Sequence, residues 1–291
     1  MPGGEEPSNL DKPFWPDDGL TKGDLLAYVD AVAPVLLPGL RDRPLTVIRY
    51  PNGIDGASFY QKDTPKYAPE WVRTVTLPAY AAKKEVRYTV CNDARTVRWL
   101  ANQAAIEFHP WLSRTDRLDR PTHLVLDIDP PAGDFARAVE VALVARDALG
   151  GSGLHGIAKT SGSKGVHVYV PLRRTHGFDQ VRTAALRLAE QVVDAAPELV
   201  TVAFKKAERG GRVFLDTTRN GPGTHIVAAY SPRARPGAPV SFPVAWNDLT
   251  QIAPQDFTIR SATRLLRDHG NLWATMMPEP QTLPRSLTDP D

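Results

Sequence analysis

The chain has 291 residues, of which 42% are apolar and 23% charged, so it can bury a sizeable core, and its net charge of +2 is too mild to announce a polyanionic partner. Its single cysteine, Cys91, excludes an internal disulfide and a cysteine-based zinc site. Residues 1–20 carry no signal-peptide pattern, and no apolar run is expected to reach the roughly 20 residues of a membrane span, so a cytoplasmic protein without a membrane partner is expected.

Residues 1–8 read as disordered. Thr21 and Asp24 make a capping box before a run in which Leu25, Leu26, Val29, Val32, Ala33, Leu36 and Leu37 recur at helical spacing, with Pro38-Gly39 as its stop. Residues 45–50 read as a strand, 51–53 as a turn and 97–108 as a second helix. Residues 123–129 form a short apolar strand closed by Pro130-Pro131, and Asp134 can cap a helix that runs to Leu149. Two strands, 157–160 and 166–170, flank the loop 161–165. Residues 178–195 read as a helix, 212–216 and 225–230 as strands, and 257–269 as a closing helix. The 27 prolines, well above the usual share of about 5%, add rigid turns. The hairpin-like connections favour an α+β fold over a doubly wound sheet.

Asp127 and Asp129 lie two apart on the strand, so both carboxylates face one side. Asp216 ends another strand. Two acids so close repel each other unless a cation lies between them. Three convergent acids would suit one or two Mg²⁺ or Mn²⁺ ions and an in-line phosphoryl transfer. An isolated Asp-x-Asp is more often a surface turn, and a glycosidase-type acid pair is a further option that the surrounding cations oppose. The apolar strand beneath the acids favours a site.

The loop Ser161-Gly-Ser-Lys-Gly165 with His167 offers backbone amides, a hydroxyl, an ammonium and an imidazole to a phosphate, although its spacing is not that of a P-loop. A flexible hairpin explains the same residues equally well. Arg219, Arg233 and Arg235 suit charge developing on phosphate, or a solvated basic surface. His109, beside Pro110 and Trp111, reads as structural, and Lys12 and Lys22 as ordinary surface lysines.

Together, Asp11–Pro16, Gly19–Asp24, Arg43-Pro44, Arg49–Gly53, Phe59–Lys62, Glu107–Trp111, Leu126–Pro130, Ser161–His167 and Asp216–Asn220 resemble the polymerase domain of bacterial ligase D, within the archaeo-eukaryotic primase superfamily. The resemblance covers about residues 10–249. It implies a primase-type α+β core on a mixed or antiparallel sheet with packed helices. The expected division is a disordered 1–8 and one polymerase domain over 9–291, made of an N-terminal part (9–119), a catalytic core (120–250) and a helix with tail (251–291).

The resemblance further implies that Asp127, Asp129 and Asp216 are catalytic carboxylates holding two Mn²⁺ or Mg²⁺ ions. It makes Ser161, Lys164, His167, Arg219 and Arg233 triphosphate ligands, and His109 a nucleotide contact near the sugar. Lys12 and Lys22 match a pocket for a downstream 5′-phosphate, and Phe59 and Tyr60 an aromatic pair that stacks on template DNA. The implied activity is template-directed addition of NTPs or dNTPs, ribonucleotides preferred, to primer 3′ ends at short gaps or broken DNA in repair and end joining. No Lys-x-Asp-Gly ligase motif occurs, so the chain resembles stand-alone actinobacterial short-gap enzymes, with a separate ATP-dependent DNA ligase and Ku as expected partners at the nucleoid, although an excised domain of a larger protein would look the same. A non-catalytic DNA-end binding module that recruits a ligase is the alternative, and a metal nuclease a third reading.

Overall fold

Burial on both faces turns the apolar run Leu124–Ile128 into the centre of a sheet. The computed structural model describes residues 6–78 and 85–289. The chain forms two interleaved compact units: the first takes residues through Asp116 with His225–Phe242 and Gln255–Asn271, and the second takes Arg117–Thr224, Pro243–Pro254 and residues from Leu272 onward.

In the second unit, six strands lie in the order Val200–Thr201, Val213–Asp216, His123–Asp129, Val166–Pro171, Ile157–Thr160 and Pro243–Val244. Only the first pair is parallel; the others are antiparallel. Leu124, Val125, Leu126 and Ile128 have no exposed surface, which explains why this strand is apolar on both faces up to Asp127. The helices Phe135–Gly151 and Phe178–Ala195 pack on this sheet and on each other. Asp134 caps the former by accepting from the Arg137 N–H at 3.4 Å.

In the first unit, the strands Phe59–Gln61, Pro44–Arg49, Glu85–Val90 and Thr74–Pro78 lie in that order, and Ala105–Pro110 also pairs with Pro44–Arg49. The helix Lys22–Leu40 opens with the expected capping box: the Thr21 N–H donates to Asp24 Oδ2 at 2.7 Å, and the Asp24 N–H to Thr21 Oγ1 at 3.3 Å. It packs against the helices Ala94–Asn102 and Ile259–His269.

Several sequence expectations are corrected. The helix over 97–108 ends at Asn102, Ala104 turns the chain with φ +66°, and Ala105–Pro110 is a strand. All six residues of that strand are buried, and its short alternation, Ile106-Glu107-Phe108-His109, directly follows helical spacing and so reads as a continuation of the helix. Pro38-Gly39 does not stop the first helix, which contains Pro34 and Pro38 and runs to Leu40. Pro38 removes one hydrogen bond, the one its N–H would make to the Pro34 carbonyl, without ending the helix. At 19 residues this helix is long and apolar enough to cross a membrane by length and composition, contrary to expectation, yet Leu25, Leu26, Val29, Val32 and Leu36 are buried in the first unit.

Residues 225–230 are not a strand. They run beside Ala105–Pro110 with a bridge between Trp111 and His225 and an Ala228 N–H donating to the Phe108 carbonyl at 2.9 Å. Residues 225–242 therefore belong with the N-terminal part rather than with a core of 120–250, and 255–271 with it rather than with a separate helix and tail over 251–291. Of the residues read as disordered, 1–5 lie outside the described residues, while the Ser8 N–H donates to Asn102 Oδ1 at 3.2 Å. The strands Phe59–Gln61, Thr74–Pro78 and Glu85–Val90 and the short helices Leu272–Met276 and Arg285–Thr288 were not expected.

Candidate active site

Register places the acids of the second unit. Asp127 stands opposite Asp216 on one side and opposite His167 on the other, and His167 stands opposite Lys159. Directly paired residues of an antiparallel ladder face the same side, so these four side chains form one rung across the sheet. Asp129, two residues on from Asp127, shares that face.

The charges differ along the rung. Burial pushes the Asp127 carboxyl up, but His167, whose Nε2 lies 3.2 Å from Oδ1, then Arg219 and Lys159, outweigh it and hold the group at about 2. Asp129 moves the other way. Burial raises it, and the Asp127 and Asp216 carboxylates raise it further against Lys164 and Arg219. Asp216 accepts the Thr218 N–H on Oδ1 at 2.7 Å, leaving Oδ2 3.7 Å from Arg219 Nε. Arg219 Nε is also 3.5 Å from Asp127 Oδ2, so one guanidinium bridges the two opposed acids.

Among the described residues, no group of three or more His, Cys, Asp or Glu side chains is gathered to hold a metal ion. Arg219 supplies positive charge between Asp127 and Asp216 instead. The donor set still fits a hard divalent cation, because it consists of carboxylate oxygens whose mutual repulsion is visible at Asp129.

The loop after Ile157–Thr160 lies against the acid strand. Gly162 has φ +68°, which favours glycine, and a Cβ on Gly165 would collide with the Ile128 carbonyl oxygen, so glycine is required there. Ser161 Oγ accepts from the Ser163 and Gly165 N–H groups at 3.2 and 3.0 Å. Lys164 donates to the Pro130 carbonyl at 2.7 Å, with its Nζ 4.0 Å from Asp129 Oδ1. Asp127, Asp129, Asp216, His167 and Arg219 thus lie together on the sheet of the second unit, with Lys164 and the Ser161 loop against the acid strand. Asn220, which the sequence reading quoted without a role, holds the Arg219 turn. It is fully buried, and its amide accepts the Val125 N–H at 2.8 Å and donates to the Val125 carbonyl at 2.7 Å.

The first unit carries a second cluster. Glu107 Oε2 lies 2.9 Å from His109 Nε2 and 3.0 Å from Arg233 Nε, and Oε1 accepts the Ala234 N–H at 3.1 Å. Burial pushes Glu107 up, but His109, Arg233 and that N–H lower it to about 2. His109 and Arg233 are therefore brought together by Glu107, a residue without an assigned role in the sequence reading. Its signal was the period of two that it shares with His109.

Lys12 and Lys22 are adjacent: the Lys22 N–H donates to the Lys12 carbonyl at 2.9 Å. Lys12 Nζ donates to Asn52 Oδ1 at 2.8 Å, and Lys22 Nζ to the Ser8 carbonyl at 2.7 Å. Lys22 is buried, which corrects its reading as a surface lysine. Phe59 and Tyr60 are 45% and 64% exposed on their strand. The Arg49 guanidinium lies 5.2 Å from the Phe59 ring centre.

Residues 21–273 match the family model described as the LigD primase-polymerase domain. The chain is 34% identical over 283 residues to the bifunctional non-homologous end joining protein LigD of Bacillus subtilis, covering 96% of this chain and 45% of that protein. It is 34% identical over 271 residues to the multifunctional non-homologous end joining DNA repair protein LigD of Mycobacterium tuberculosis, covering 90% of this chain and 35% of that protein. The chain thus spans less than half the length of these relatives. Its fold matches the polymerase domain of Mycobacterium tuberculosis ligase D in complex with DNA, with a TM-score of 0.86 and 31% identity over 93% of this chain and 97% of that one.

Proposed function

This chain belongs to the LigD primase-polymerase domain family, and we propose that it is a template-directed nucleotidyltransferase that extends primer 3′ ends at short gaps or breaks bearing a downstream 5′-phosphate, with ribonucleotides preferred. The observation that carries the reading is the rung in which Asp127 faces Asp216 and His167, with Asp129 beside it and Arg219 bridging the two opposed acids.

In this reaction the primer 3′-hydroxyl attacks the α-phosphorus of a nucleotide and pyrophosphate leaves. Asp127, Asp129 and Asp216 are the residues that would hold two Mn²⁺ or Mg²⁺ ions. Such ions supply a more acidic attacking hydroxyl and neutralise charge on the leaving group. Arg219, paired with acids in the free protein, carries a planar fork of donors suited to phosphate oxygens. Lys164 adds a point charge, and Ser161, whose Oγ accepts two N–H groups of its own loop, is a further triphosphate ligand. His167 presents its Nε2 beside Asp127. Arg233 is a further triphosphate ligand, and His109, oriented by Glu107, contacts the sugar.

Lys12 and Lys22 take the downstream 5′-phosphate, and Phe59 and Tyr60 stack on the template. An ATP-dependent ligase activity would seal the product, and Ku would present broken ends, at the nucleoid in the cytoplasm.

The test is primer extension on gapped DNA with a downstream 5′-phosphate, Mn²⁺, and ribo- and deoxynucleotides supplied separately, with Asp127→Ala as the control. Template-directed addition by the wild type alone is expected, faster with ribonucleotides. Tight binding to the gap without extension would replace the polymerase with an end-binding module.

A further inference from the structure

Lys159 is the one member of the rung to which the nucleotide chemistry above gives no task. It has no exposed surface, sits in the strand Ile157–Thr160 and stands directly opposite His167. Its Nζ lies 2.9 Å from His167 Nδ1 and 5.6 Å from the centre of the Tyr169 ring, whose negative face favours an ammonium. A lysine is almost never fully buried unless it is paired, because removing its charge from water is costly.

We infer that Lys159 is a positioning residue that keeps the proton of His167 off Nδ1 and on Nε2. The argument is one of donors and acceptors. An ammonium has three N–H donors and no lone pair, so a contact at 2.9 Å requires Nδ1 to accept. A neutral imidazole has one N–H, which is then on Nε2, the nitrogen 3.2 Å from Asp127 Oδ1. Asp127 accepts that proton in the free protein. The Lys159 contact lies on the opposite edge of the ring and does not depend on Asp127. When the carboxylate is drawn to another cation, His167 therefore still presents an Nε2–H donor to an anionic oxygen. A ring free to place its proton on Nδ1 would present a lone pair to the same phosphate and repel it. This inference rests on the reading of His167 as a triphosphate ligand.

The test combines a spectroscopic and a kinetic measurement. ¹⁵N NMR of the imidazole nitrogens of His167 in the wild type is expected to show an unprotonated Nδ1 and a protonated Nε2; a proton on Nδ1 overturns the inference without any variant. In Lys159→Met, which removes the donor and the buried charge together, Nδ1 is expected to gain a proton, and KM for the nucleotide to rise about tenfold with kcat little changed, the loss of one charge-assisted hydrogen bond. Lys159→Gln, whose amide can still donate, is expected to keep Nδ1 unprotonated and KM within about threefold of the wild type. If Lys159→Met leaves Nδ1 unprotonated, or the Gln variant protonates it as the Met variant does, Lys159 does not set the tautomer. A tautomer change without any change in KM leaves Lys159 in its role and removes His167 from the phosphate. A wild type that adds no nucleotide sinks the polymerase reading, while the NMR result still decides the tautomer.

Discussion

Asn220 stands in for a strand beside Val125. The ladder between Val213–Asp216 and His123–Asp129 pairs Asp127, Ile128 and Asp129, and one side-chain amide then satisfies both the N–H and the carbonyl of Val125. The same amide donates to the Thr217 carbonyl at 2.9 Å, so it fixes the turn that aims Arg219 at the acids.

Asn220→Ala is therefore expected to lose about 3 kcal/mol or more of stability, because it strands two buried backbone groups at about 1–3 kcal/mol each. Urea unfolding measures the loss. Asn220→Asp keeps an acceptor for the Val125 N–H but not the donor, and is expected to lose as much or more. A loss below about 1 kcal/mol in the alanine variant would show that water replaces the amide.

The acids are coupled through Asp127. In Asp127→Asn, nucleotide addition is expected to disappear while DNA binding persists. In the metal-free protein the Asp129 carboxyl, held up by burial and then by Asp127, is expected to titrate at lower pH than in the wild type. Carboxyl ¹³C NMR reads this shift. An unchanged Asp129 would mean that burial alone raises it.

Glu107 makes acid stability predictable. Its folded pKa, about 2, is depressed from an ordinary 4.5, so its ion pairs stabilise the fold above about pH 4.5 and that contribution fades as pH falls toward 2. The size is on the order of 3 kcal/mol. Glu107→Gln is expected to be destabilised at pH 7, and the gap to the wild type to narrow between pH 4.5 and 2 in denaturant melts. A gap independent of pH would assign the loss to packing.

The two adjacent lysines offer a test on DNA. Lys12→Ala, which leaves the fold's burial nearly unchanged, is expected to reduce the preference for a gap carrying a 5′-phosphate over one lacking it, measured by fluorescence anisotropy. Lys22→Ala is expected to do the same and also to loosen Ser8, whose carbonyl it holds. Equal preference in wild type and Lys12→Ala would remove the phosphate pocket from these residues.

Local chemistry made part of this legible in the sequence. The period of two put Asp127 and Asp129 on one face, and the Pro130-Pro131 stop bounded their strand. The 18-residue helix Phe178–Ala195 lies where its spacing predicts. Register, by contrast, is a property of pairs of strands, so neither the opposition of Asp127 to Asp216 nor that of His167 to Lys159 could be read from one segment. Lys159 is a charge inside a short buried strand, and nothing in its own segment marks a partner. Glu107 is hidden for another reason: its partner Arg233 is 126 residues away, and the strand that carries Glu107 reads as the end of a helix, which masks the period of two it shares with His109.

The interleaving of the two units separates the order of synthesis from the order of completion. Glu107 leaves the ribosome long before Arg233, with nearly the whole sheet of the second unit made in between. Until Arg233 arrives, the first unit holds a carboxylate at a position the finished fold buries, so its interior cannot close at full strength. The cluster that orients His109 is thus a late product of translation, and the nascent first unit must wait for a segment encoded beyond the second unit's acids.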